Sequence, residues 1–325
     1  MPVPEHTALS TLRLGHALLA GLLLGILVCG PWVQAQESEA APGTSALEAR
    51  LPTLPDAERV PILAELVERT HRSAPERAIA FGRDALVFLD DYPDIGLQAQ
   101  VLFRKGLAHA YLAENDSVLA HAAMLRNLPA GLGRADAAFL EGRVYRRQGD
   151  SDAALRAFGE ARSGYETAQD SAGIATTLRL IGLMYRQQGD FDRALELYDQ
   201  ARRLYEAIGD SVGLANTLSS TSIVLRRRGN SEGARDLLTR ALALTESAND
   251  ERAMSIVLNN LGLVYESLGD YDGALAAYTR SLTLKEATDD VRGIVRLLSN
   301  IGSIYLDQEA YADAQAMFER VLRLQ

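Results

Sequence analysis

The chain of 325 residues has one cysteine and one tryptophan, Cys29 and Trp32, both within its first 35 residues. No intrachain disulfide is available, so side-chain packing alone must hold the fold. Beyond position 35 there are three histidines, His71, His109 and His121, none at metal-ligand spacing from another histidine or a cysteine. They read as packing or surface residues, and no metal or cofactor is expected. There is no H-E-x-x-H, no G-x-S-x-G and no G-x-x-x-x-G-K-[ST]. Asp270-x-Asp272-Gly273 opens like a calcium loop but lacks the remaining ligands. A catalytic reading therefore has no residues to rest on. The formal net charge is −10, and no basic aromatic stretch offsets it, which argues against a nucleic-acid partner.

Long apolar runs are also scarce. The exception, residues 17–29 after Arg13, is 13 residues long, against roughly 20 for a membrane-spanning helix. Gly30-Pro31 follows it, then Val33-Gln34-Ala35, with small residues at the two positions that a signal peptidase reads. Residues 1–35 are expected to be a signal peptide cleaved after Ala35, sending the chain to the periplasm or outside the cell. The alternative is a membrane anchor formed by residues 17–29. Lipid attachment at Cys29 is disfavoured by the bulky Val28 before it. Residues 36–55, rich in Ser, Glu, Ala, Gly and Pro, read as a flexible linker.

What the sequence does have is a repeat. Arg186 to Ala201 reads RQQGDFDRALELYDQA, and variants of the phrase begin at Arg146, Arg226 and Glu266, always 40 residues apart. An upstream helix repeats with it. Leu178-x-x-Ile181-Gly182-x-x-Tyr185 is answered by segments ending in Tyr145, Leu225, Tyr265 and Tyr305, with Gly142, Gly262 and Gly302 in the glycine position. In the second helix Ala154, Ala194, Ala234, Ala274 and Ala314 recur. The 1-4-5-8 spacing puts these residues on one helical face. Small residues are expected to let the paired helices approach, Gly182 against Ala194, with Tyr185 and Tyr198 as wedges between pairs. Gly149, Gly189, Gly229 and Gly269 read as helix stops, and the Asp or Asn after each as the next N-cap. One such hairpin cannot bury both apolar faces and must stack on copies of itself.

Leu-x-x-Ile-Gly-x-x-Tyr followed by Gly-Asp-x-Asp-x-Ala-Leu-x-x-Tyr-x-x-Ala resembles the tetratricopeptide repeat. It departs from that pattern in its 40-residue period, against about 34, and in lacking a closing proline. In this it is similar to repeats of exported bacterial signalling proteins and of kinesin light chains. The resemblance implies an all-α, right-handed solenoid of about seven antiparallel helix pairs. Two degenerate repeats would occupy 56–130 and five 131–325, the last incomplete, because 318–325 aligns with 278–285 and then stops. That leaves Val321, Leu322 and Leu324 to be covered, either by downstream sequence or by self-association through this end.

The resemblance also implies a concave groove that binds peptides or proteins. The residues turned to that side are Arg143, Arg146, Arg179, Leu183, Arg186, Asn216, Ile223, Arg226, Asn259 and Leu263. The concentration of arginine in an acidic chain suits an acidic peptide, and the asparagines suit an extended backbone. The competing reading is structural: cations in a helix's last turn complement its dipole and pair with nearby caps. The function expected is a non-catalytic interaction scaffold. The alternative is the sensory input region of a histidine kinase or cyclase whose catalytic part lies elsewhere.

Overall fold

A computed structural model describes residues 43–129 and 133–324. The expected signal peptide lies outside the described residues. No described helix is long and apolar enough to cross a membrane.

The described residues form fifteen α-helices and no strand. A short α1 (Thr44–Arg50) and a 3-10 turn (Leu51–Thr53) precede seven antiparallel pairs. These are α2 (Asp56–Thr70) with α3 (Pro75–Asp91), α4 (Ile95–Tyr111) with α5 (Asn115–Arg126), and α6 (Arg134–Gln148) with α7 (Ser151–Thr167). Next come α8 (Ser171–Gln188) with α9 (Phe191–Ile208), and α10 (Ser211–Arg227) with α11 (Ser231–Ser247). The last two are α12 (Glu251–Leu268) with α13 (Tyr271–Glu286), and α14 (Val291–Asp307) with α15 (Tyr311–Leu324). Each helix packs on the next in sequence. Even-numbered helices also meet one another at α2–α4, α4–α6, α8–α10 and α10–α12, and form the inner layer.

Residues 44–53 correct the linker reading. Their composition is linker-like, yet Leu47 is 1% exposed and Glu48 pairs with Arg77 of α3. An open solenoid end exposes apolar surface, and this short helix packs against α2 there. At the other end Leu322 is 71% exposed.

Local chemistry sets the register. The side chains of Asp150, Asp170, Asp190, Asp210, Asn230, Asp250, Asp270 and Asp290 each accept a hydrogen bond from the backbone N–H three residues on, at 2.8–3.1 Å. Each such cap contributes about 1 kcal/mol. Gly149, Gly189, Gly229 and Gly269 stop their helices at φ 77–85°. The same left-handed conformation falls on Gln169 at 55° and Glu309 at 59°, where a side chain crowds the backbone. Gln169→Gly and Glu309→Gly should each stabilise the fold by up to about 1 kcal/mol. Denaturant midpoints that fail to rise in either variant would show that the turns carry no such strain.

Within a pair, the contact differs from the one expected. A Cβ on Gly182 would lie 2.7 Å from Cε1 of Tyr198 and only 3.3 Å from the Ala194 carbonyl. Glycine therefore makes room for the aromatic ring of its own partner helix, not for alanine. Tyr198 fills the pair from inside, while Tyr185 packs at its edge with Arg193 over its ring at 5.2 Å. Gly142 stands to Phe158, Gly262 to Tyr278 and Gly302 to Phe318 in the same way. The α10–α11 pair has exchanged both members: Ser222 faces α11, which carries Leu238 at the aromatic position, and both are buried. Ala154, Ala194, Ala234, Ala274 and Ala314 are all buried at the same level, letting the backbones close.

Candidate peptide groove and arginine chamber

The two layers treat arginine differently. On the outer layer cations are neutralised in a periodic seam. Arg240 pairs with Glu206 at 3.0 Å, Arg280 with Glu246 at 2.8 Å and Arg320 with Glu286 at 2.5 Å. Arg126 reaches both Glu141 and Glu160 at 2.7–2.8 Å, and those carboxylates hold its guanidinium well above the ordinary range. On the inner layer, Arg143, Arg146, Arg179 and Arg186 make no ion pair among the described residues. The Nε atoms of Arg146, Arg179 and Arg186 are buried without a hydrogen-bond partner. Burial lowers the Arg143 and Arg146 pKa values, and the neighbouring guanidinia lower them further.

The structural reading of these cations holds for only part of the set. Arg147 donates to the Ala110 carbonyl and to Asn115 Oδ1, and Arg228 pairs with Asp192 at 2.5 Å. Of the cap aspartates, Asp190 pairs with Arg193 and Asp290 with Lys285, and none pairs with the inner four.

Arg143, Arg146, Arg179, Leu183 and Asn216 line one cavity of about 620 Å³. Arg186, Ile223, Arg226 and Leu263 are half-buried farther along the inner layer, outside that cavity. Arg186 approaches Tyr198, whose pKa burial raises and Arg186 opposes. At the equivalent place the Glu266 carboxylate lies by Tyr278 and is raised by burial, with Arg226 opposing. Asn259 departs from expectation. It is 7% exposed, and its Oδ1 is buried without a hydrogen-bond partner. The contact between the inner helices α10 and α12 is made by its neighbour Asn260, which donates to Ser219 Oγ at 2.8 Å.

The cavity also holds residues the repeat pattern did not single out: His71, Arg72, Arg104, Tyr111 and Arg252. Four belong to the degenerate first pairs, where the phrase is unreadable. Arg252 sits in the first turn of α12, where nothing in the period marks it. No three His, Cys, Asp or Glu side chains gather in a metal-holding group among the described residues.

A stack of antiparallel helix pairs with a cationic inner layer defines a repeat scaffold of the protein-interaction class. The particular family that its repeats match is that of the tetratricopeptide repeat, whose model covers residues 173–247 and 253–325. No curated protein sequence matches it. Among solved structures, a Rap protein complexed with competence and sporulation factor aligns with a TM-score of 0.64 at 17% identity, over 82% of this chain and 76% of that one. Aspartyl phosphate phosphatase F from Bacillus subtilis gives 0.57 at 15% identity, over 86% and 74%. BtubC from P. vanneervenii gives 0.51 at 18%, over 78% and 91%. At these identities the likeness is one of fold.

Proposed function

We propose that the protein is a non-catalytic scaffold that holds an acidic peptide segment along its inner layer. One observation carries this reading: the inner arginines lack the carboxylates that their outer-layer counterparts have. A half-buried row of like charges costs stability, and an anionic partner relieves that cost on binding. The Rap protein of similar fold, complexed with competence and sporulation factor, is consistent with a ligand held by such a solenoid. Leu183 and Ile223 supply apolar contact between the charges.

Reversing two charges tests the proposal. In Arg179→Glu/Arg186→Glu, binding of a fluorescently labelled Asp/Glu-rich decapeptide library should fall at least tenfold. Wild-type binding should weaken as salt rises, because the contacts are partly solvent-exposed. Helicity and melting temperature should stay as in the wild type. Undiminished anisotropy of the library with the double variant would overturn the reading.

A further inference from the structure

The inner layer is not an open groove along its whole length. At the end of α4, the guanidinium carbons of Arg143 and Arg252 both lie over the Tyr111 ring, at 5.1 and 4.5 Å. Arg252 belongs to α12, four pairs further along the stack, so the two ends of this stretch meet across the groove and roof it. A cation in a helix's first turn opposes the helix dipole, so Arg252 is not placed there to stabilise α12. The cavity of about 620 Å³ lies within the roughly 300–1,000 Å³ typical of small-molecule sites.

Its walls divide by chemistry. Phe103, Leu107, Phe139 and Leu180 make an apolar side, with Phe103 and Phe139 edge to face at 5.9 Å. Arg143, Arg146 and Arg179 make a cationic side. Six arginines line the cavity against four carboxylates, of which Glu68 pairs with Arg104 while Asp170, Asp210 and Asp250 each cap a helix. Burial alone raises the Tyr111 pKa, yet Arg143, Arg72 and Arg252 outweigh it and bring it below the ordinary value, a measure of the positive field.

A third feature points to a ligand independently. His71 is 3% exposed and lines the cavity. Its Nδ1 donates to the Glu68 carbonyl at 2.6 Å, which leaves Nε2 as an acceptor, buried and without a partner. An unpaired buried acceptor is costly, and a donor entering the cavity would meet it.

We infer that this chamber is a binding site for a small organic anion. An aromatic-sized apolar body would lie against Phe103, Phe139 and Leu180, and an acidic head on Arg143, Arg146 and Arg179. An N–H or O–H of the ligand would donate to His71 Nε2. The site goes beyond the peptide reading but shares Arg143, Arg146 and Arg179 with it; Arg186, outside the chamber, distinguishes the two.

The probe is 8-anilinonaphthalene-1-sulfonate, which combines an aryl body, a sulfonate and one N–H, titrated into the full chain. One saturable, blue-shifted site per chain is expected. Arg143→Met should weaken it at least tenfold. Arg252→Ala, an exposed change that leaves the core untouched, should weaken it about threefold, whereas Arg186→Met should leave it unchanged. The uncharged N-phenyl-1-naphthylamine should bind at least tenfold more weakly. Binding indifferent to Arg143 and Arg252, or equally tight for the uncharged probe, would overturn the inference. Loss in Arg186→Met alone would assign the probe to the peptide row instead.

Discussion

Gly262→Ala should lower stability by about 2–3 kcal/mol, the range for overpacking a closed core. A Cβ there would lie 2.3 Å from Cε1 and 2.5 Å from Cδ1 of Tyr278. The ring cannot swing aside, because Tyr278 is 0% exposed and its hydroxyl end faces Glu266. The cost should be smaller at Gly142 and Gly182, where the nearest ring atoms stand at 2.7 Å. It should be least at Gly302, where Phe318 at 2.9 Å is only half-buried and free to move. The protein contains the compensated version of this change in Ser222 and Leu238. Gly262→Ala combined with Tyr278→Leu should therefore be no less stable than Tyr278→Leu alone, a coupling of about 2 kcal/mol between the sites. Urea denaturation of the four proteins measures it. Losses that simply add would mean that something other than the ring excludes the Cβ.

The glycine–ring pairing also marks where sequence reasoning stops. The stops and caps were legible because they are local: Gly189 and Asp190 act on the chain within three residues of themselves. That Gly182, Tyr185, Ala194 and Tyr198 share the buried faces was legible from spacing. Spacing does not say which of them touch, since rings at 185 and 198 can each fill the gap within a pair or between pairs. Arg143, Arg146 and Arg179 were placed on the inner side by helical rotation, and they do converge. Asn259 was placed by the same rotation yet is almost fully buried, on a helix, α12, that touches the inner helix α10. The Tyr111–Arg252 contact was beyond reach. It depends on the rotation accumulated over four pairs, a property of the stack and of no single repeat. Helix α1 was hidden by composition, since a single leucine, Leu47, does its burying.

Acid should weaken the fold through His71. In an unfolded chain its imidazole titrates near 6.5. In the folded protein burial, helped by Arg104 and then Arg72, brings it down to about 3, against the hydrogen bonds to Glu68 and Val67. Between those values the unfolded chain holds a proton that the folded one refuses, so stability is full above 6.5 and falls as the pH drops towards 3. The slope is at most 1.36 kcal/mol per pH unit, or roughly 2 kcal/mol lost by pH 5. His121, also lowered chiefly by burial, acts in the same direction. His71→Asn retains a donor for the Glu68 carbonyl but has no proton to gain in this range. It should be less stable than the wild type at pH 7, with a clearly flatter decline between pH 7 and 5. Urea midpoints across that interval decide the matter: parallel curves for the two proteins would place the acid sensitivity elsewhere.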